Sequence, residues 1–145
     1  MNLLIVDDEY LVVEEVVTVT DWELLGITEI YSATNAVSAV RILNEKKIDI
    51  MICDIEMPQT DGLELSKKAK ENFPDLEIVM LTSHAEFNYV RNALRYGCYD
   101  YLLKPVMEDD IIKVMKNLVT KIERERHQAQ LQEEGIVWNQ LKPVW

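Results

Sequence analysis

Four positions in this 145-residue chain place reactive or charged side chains directly after short apolar runs. Asp7-Asp8-Glu9 follows Leu3-Leu4-Ile5-Val6, Asp54 follows the run Ile48 to Cys53, Thr82-Ser83 follows Glu77 to Leu81, and Lys104-Pro105 follows Tyr99 to Leu103. Each alone has a plain structural reading. Asp8 after a strand suits a helix N-cap, Thr82 suits a turn, and a Lys-Pro pair suits a loop. Together they form another pattern, because ligands of an open α/β sheet collect at the carboxyl ends of its strands. Asp7, Asp8 and Asp54 brought to one rim repel one another unless a cation lies between them. Magnesium fits such a place, since it takes a few carboxylate or carbonyl oxygens and leaves positions for water and phosphate. A central carboxylate there can act as a nucleophile toward a phosphoryl group, with the metal and Lys104 neutralising the transferring oxygens and Thr82 hydrogen-bonding the product. Asp61, ahead of Gly62, reads as a helix cap. His84 and His127 read as solvent-facing, and neither forms a metal-ligand pattern with the cysteines.

This convergence requires the apolar runs to be parallel strands joined by helices. With a further run at Glu29 to Ala33 there are five, and between them the period changes from two to about 3.6. Ala36, Val40 and Leu43 share one helical face, as do Leu65, Ala69 and Phe73, then Phe87, Val90 and Leu94, and finally Ile111, Met115, Leu118 and Ile122. The valine-rich stretch Glu9 to Thr20 has the local preference of a strand. The Glu14-Glu15 pair breaks period two, however, and Val12, Val16 and Val19 make a helical stripe. Gly97 stands where a helix ends in a left-handed residue, and Pro58, Pro74 and Pro105 lie at the ends of runs. Beyond Ile122 come strong helix formers with few apolar anchors, read as a helix leaving the domain. Gly135 to Trp145 then breaks the helical pattern and carries Trp138, Pro143 and Trp145 without a core. The expected division is a domain over 1–122 and a helical linker extension and tail over 123–145.

The composition, 48% hydrophobic and 28% charged, is that of a folded domain, and the length suits one. A net charge of −11 opposes phosphate tracking, so DNA contact is expected only through a further carboxyl-terminal domain. Cys53 and Cys98 imply no disulfide framework and read as inert packing residues of a reducing compartment. No apolar run reaches the length of a membrane span and no basic leader precedes the first strand, so a cytoplasmic protein without membrane partners is expected.

Over residues 2 to 122 the sequence resembles a two-component response regulator receiver domain. The resemblance rests on Leu4-Ile5-Val6-Asp7-Asp8-Glu9, Asp54 to Leu65, Met80-Leu81-Thr82-Ser83, and Gly97 to Pro105. It implies an α/β, flavodoxin-like (βα)5 doubly wound sheet of strand order 2-1-3-4-5, here with an extended C-terminal helix. It implies Asp54 as phospho-acceptor, and Mg2+ held by Asp7, Asp8, Asp54 and the backbone carbonyl of Glu56. Lys104 is implied to bind the phosphoryl group ahead of a cis Pro105, with Thr82 and Tyr101 as switch residues. The implied partners are a sensor histidine kinase and, on activation, a second copy. Asp21-Trp22-Glu23-Leu24-Leu25-Gly26 and His84-Ala85-Glu86-Phe87 are similar to receivers attached to AraC-type DNA-binding domains. Ser83, where the family often has Ala or Gly, and His84 depart from the pattern, at positions that govern access to the phosphoryl group and so its lifetime. Two other classes compete. An aspartate-nucleophile phosphatase is expected to carry a second Asp where this chain has Glu56. A receiver-like interaction module that is never phosphorylated has no use for a repulsive carboxylate cluster.

Overall fold

The structure, a computed structural model, describes residues 1–57, 60–83 and 87–141, with side-chain surroundings described for these except 60–61, 87–90 and 135–141. Five parallel strands form the main sheet among the described residues: β1 (Asn2–Val6), β2 (Glu29–Ala33), β3 (Ile50–Asp54), β4 (Glu77–Thr82) and β5 (Asp100–Leu103). Their order is β2-β1-β3-β4-β5, as the resemblance implies. The helices are α1 (Tyr10–Thr18), α2 (Ala36–Glu45), α3 (Gly62–Asn72), α4 (Phe87–Arg95) and α5 (Glu108–Leu141). Two two-residue strands, Glu56–Met57 and Thr60–Asp61, pair antiparallel between β3 and α3.

The unbroken apolar strands have the cause that a doubly covered sheet requires. Leu3, Ile5, Ile50, Ile52, Val79 and Leu81 point to one face, where they pack with Val13 and Val16 of α1 and Ile111, Met115, Leu118 and Ile122 of α5. Leu4, Val6, Met51, Cys53, Ile78 and Met80 point to the other, against Ala39 and Leu43 of α2, Leu65 and Ala69 of α3 and Ala93 of α4. The valine-rich stretch is helical, because burying Val13 and Val16 on a helix face outweighs the few tenths of a kcal/mol by which β-branched residues disfavour helix. The segment after α1 fills the first core layer: Trp22 is buried and donates its indole N–H to Val16 O at 3.1 Å, and Gly26 closes a short 3-10 turn at φ +90°. Gly97 ends α4 at φ +88°, the left-handed residue expected there.

Three sequence expectations need correction. On α2 the buried face is Ala39 and Leu43, with Ala36 partly buried, while Val40 is exposed; i+3 and i+4 lie almost equally close to Ala36 on a helix, and the packing of α2 on β1 selects the former. On α4 it is Ala93 that is buried and Leu94 that is exposed, and Phe87 and Val90 lie outside the residues whose side chains are described. Gly135 does not end the helix, because α5 continues to Leu141. A lone glycine costs a helix about 1 kcal/mol, too little to stop one with Glu133 and Glu134 before it. Pro58, the Asp61 cap, His84, and the side chains of Trp138, Pro143 and Trp145 lie outside what is described. Ile122 is the last described core residue of α5, and His127 is exposed as expected.

Candidate functional site

Strand register decides which side chains meet. Val6 is aligned with Ala33 on β2 and Cys53 on β3, Asp54 with Leu81 on β4, and Thr82 with Leu103 on β5. The residues just beyond these pairs, Asp7, Asp54, Thr82 and Lys104, therefore emerge at the carboxyl rim of the three central strands and β5. Backbone bonds carry the alignment past the strands' ends: Asp7 N–H donates to Ala33 O at 3.2 Å, Ile55 N–H to Leu81 O at 2.9 Å and Lys104 N–H to Thr82 O at 2.8 Å.

Asp7 is fully buried, Asp54 3% exposed and Thr82 2% exposed, whereas Asp8 is exposed. Lys104 reaches across the rim to both buried acids, its Nζ 2.8 Å from Asp7 Oδ2 and 3.4 Å from Asp54 Oδ2. The other carboxylate oxygens accept backbone N–H bonds two residues on, Asp7 Oδ1 from Glu9 at 2.9 Å and Asp54 Oδ1 from Glu56 at 3.1 Å. Both loops are thereby drawn around their acids. One oxygen each of Asp7, Asp8 and Asp54 lie within 4.8 Å of one another. An open cleft of about 420 Å³ lies over them, lined by Asp8, Asp54, Glu56, Met57, Ser83 and Lys104.

The electrostatics follow from this crowding. Burial, and next the charge of Asp7, push the Asp54 carboxyl up to about 6, against the opposing pull of Lys104 and the Glu56 N–H. For Lys104, burial pulls downward, but contact with Asp7 and the charges of Asp54 and Asp7 outweigh it, so the ammonium is held above its usual range. The cluster thus has more negative charge than one lysine satisfies. Asp7 Oδ2 is buried and, although close to Lys104, accepts no directed hydrogen bond. An acidic cluster with such a buried carboxylate oxygen has donors of the kind that suit a hard divalent cation.

The bond between Lys104 and Pro105 is cis, as the resemblance implies. Tyr101 lies on the edge strand β5 opposite Met80 and is 37% exposed. Cys53 and Cys98 are buried free thiols pushed up by burial to about 12 and about 11, which keeps them protonated and inert.

One residue of the site escaped sequence reasoning. A Cβ on Gly62 would stand 1.8 Å from Asp54 O and 3.0 Å from Ile55 O, so α3 begins directly against the backbone of the central acid. The Gly62 N–H donates to Ile55 O at 3.1 Å and ties the two together. The available signal was a glycine opening a helical pattern eight positions after Asp54. The helix-cap reading of Asp61 does not describe this close backbone approach, which only a residue without a side chain allows.

Residues 3–116 match the model of the response regulator receiver domain. Among curated proteins, the chain is 34% identical over 124 residues to the uncharacterized transcriptional regulatory protein YesN of Bacillus subtilis, covering 86% of this chain and 34% of that one. It is 32% identical over 127 residues to the response regulator SaeR of Staphylococcus aureus, covering 88% and 54%. Among solved structures, the REC domain of AraT, a response regulator from Geobacillus stearothermophilus, superposes with a TM-score of 0.80 at 30% identity over 86% of this chain and 97% of that one. The chain spans about a third to a half of the length of the first curated relatives it matches.

Proposed function

This chain belongs to the response regulator receiver domain family, and we propose that within it Asp54 is the phospho-acceptor, taking a phosphoryl group from a phosphohistidine of a sensor histidine kinase. The observation that carries this reading is the convergence of Asp7, Asp54 and Lys104 at one strand rim, with the Lys104 ammonium 2.8 Å from one acid and 3.4 Å from the other, beside an open cleft. With its carboxyl at about 6, Asp54 is mostly ionised at neutral pH and remains a competent nucleophile. Its oxygen bonds to phosphorus, the P–N bond to the imidazole breaks, and the imidazole leaves with the electron pair. Asp7, Asp8, Asp54 and the carbonyl of Glu56 are the residues to hold Mg2+, which supplies positive charge against the phosphoryl oxygens. Lys104 then pairs with the phosphoryl group in place of part of its contact with the acids.

The domain is a signalling domain rather than one built for turnover. The covalent product carries roughly 1.5 to 2 negative charges where the free carboxylate carries one, and places new acceptor oxygens beside Thr82 and Lys104. Thr82 donates its hydroxyl to the new oxygens, Tyr101 turns inward from its half-exposed place, and the face made by α4, β5 and α5 changes shape. That face then pairs with a second copy and controls a transcriptional output domain that supplies DNA contact, in the cytoplasm. None of the described helices is long and apolar enough to cross a membrane. Residues 1–122 form the receiver proper and 123–145 the extension toward that output.

The test is magnesium-dependent labelling with a small acyl-phosphate donor. Wild type labels, Asp54→Asn does not, and chelation of the metal stops the reaction. Equal labelling of the two proteins would refute the assignment. Repeated turnover of a small phosphomonoester would instead favour the phosphatase class.

A further inference from the structure

The amino-terminal end of the sheet, opposite the reactive rim, carries a second set of buried charges. Asp49 immediately precedes β3 and Glu77 opens β4; they are 6% and 7% exposed, and the Glu77 N–H donates to Asp49 O at 3.1 Å. Asp49 Oδ2 accepts the Asn2 N–H at 2.7 Å, and its Oδ1 pairs with the guanidinium of Arg126. Glu77 Oε1 accepts from Lys121 Nζ at 2.8 Å, with Lys70 Nζ at 3.9 Å. Lys121 also pairs with Glu125 at 3.1 Å, one turn further along α5, and stands 5.9 Å from the centre of the Tyr99 ring. Arg126 lies beyond Ile122, where the apolar attachment of the described helix ends, and residues 123–134 are all exposed.

We propose that Asp49 and Glu77 anchor the outgoing part of α5 to the base of the sheet through Arg126 and Lys121, so that residues 123–134 leave the domain as a rigid rod in a fixed direction.

Exposed ion pairs contribute little, and Arg126 is half exposed. Its partner differs, because an unpaired carboxylate at Asp49 is left buried with one oxygen unsatisfied, and that penalty favours the closed clamp. The exposed rod, roughly 18 Å of helix, has too few apolar contacts to be held otherwise. Both anchors also sit on the strands that carry the chemistry. β3 has Asp49 before one end and Asp54 at the other, and β4 runs from Glu77 to Thr82. A central strand of this length spans about 16 Å, and buried parallel strands are the stiffest part of the domain. The direction of the rod is thus referred to the reactive rim through two strands rather than through the surface helices.

Amide hydrogen exchange on the full chain, without phosphoryl donor or metal, tests this. Arg126→Ala separates the clamp from intrinsic helicity, because alanine is the better helix former and by itself slows exchange. The clamp requires the opposite: amides of 124–134 exchange about three- to tenfold faster in Arg126→Ala, and faster again when Lys121→Ala is added, at denaturant-free conditions where these amides exchange by local opening rather than by unfolding of the core strands. Arg126→Lys restores part of the protection. Unchanged or slower exchange in Arg126→Ala, or amides of 124–134 exchanging at random-coil rates in wild type, overturns the proposal. Asp54 takes no part in this measurement, so its outcome is separate from that of the labelling test.

Discussion

Asp54 carries the tension of the reactive rim. Its carboxyl is raised to about 6 from an ordinary 3.8, so ionising it opposes folding. The favourable contribution of the neutral form is complete below about pH 4 and is lost as the pH rises through about 6. In the absence of metal, Asp54→Asn is therefore expected to be more stable than wild type at pH 7 to 8, by at most about 3 kcal/mol, with the difference vanishing below pH 4. Chemical denaturation of both proteins across that range measures it, and a constant difference from pH 4 to 8 contradicts this origin. Mg2+ is expected to lower the Asp54 pKa, read from its carboxyl carbon shift. Lys104→Met removes the competing ammonium from the acids. It is expected to tighten Mg2+ binding several-fold by titration while abolishing the phosphoryl-dependent change of shape.

Among the elements, the start of α3 is the most constrained. Gly62 lies against the carbonyl of Asp54 with no room for a methyl group, the obstructing atoms being backbone. Gly62→Ala is expected to cost about 2 to 4 kcal/mol and to impair labelling of Asp54 as well, because relief of the clash displaces the acid itself. Gly97→Ala, at φ +88° but with only ordinary contact to the Lys70 side chain at 3.7 Å, is expected to cost only about 1 kcal/mol and leave labelling intact. Thermal melts combined with the labelling assay separate the two. In α5, Met115 is fully buried among the strands of the first core layer, and Met115→Ala is expected to lose about 2 to 5 kcal/mol in denaturant titration.

For the whole molecule, charge and exposed apolar residues set the expectations about association. A net charge of −11 disfavours contact between copies, while Leu94, Tyr96, Tyr101 and Leu103 leave exposed apolar area around α4 and β5. Sedimentation is expected to show a monomer without phosphoryl mimic and a dimer with beryllofluoride and Mg2+. The shift should be lost in Asp54→Asn, and a dimer of equal strength under both conditions would remove association from the switch.

The candidate site positions and the strand-helix alternation were legible in the amino-acid sequence, and the order of the sheet followed from the resemblance to the receiver family. Apolar runs covered on both faces have a recognisable pattern, and the acids, the hydroxyl and the lysine stand one residue past each run. Those features are local, and backbone hydrogen bonding carries them into place. Tertiary structure decided what depends on distances between remote segments. It chose Ala39 over Val40 and Ala93 over Leu94 as packing residues, because near-equivalent positions on a helix are separated only by what lies opposite. It brought Gly62 against Asp54, and it set Arg126 on Asp49 across 77 positions of chain. Neither contact has a periodicity, because each joins separate segments at the border of an element, Asp54 and Gly62 at the end of β3 and the start of α3 and Asp49 just before β3, and such meetings follow from the packing of the whole domain.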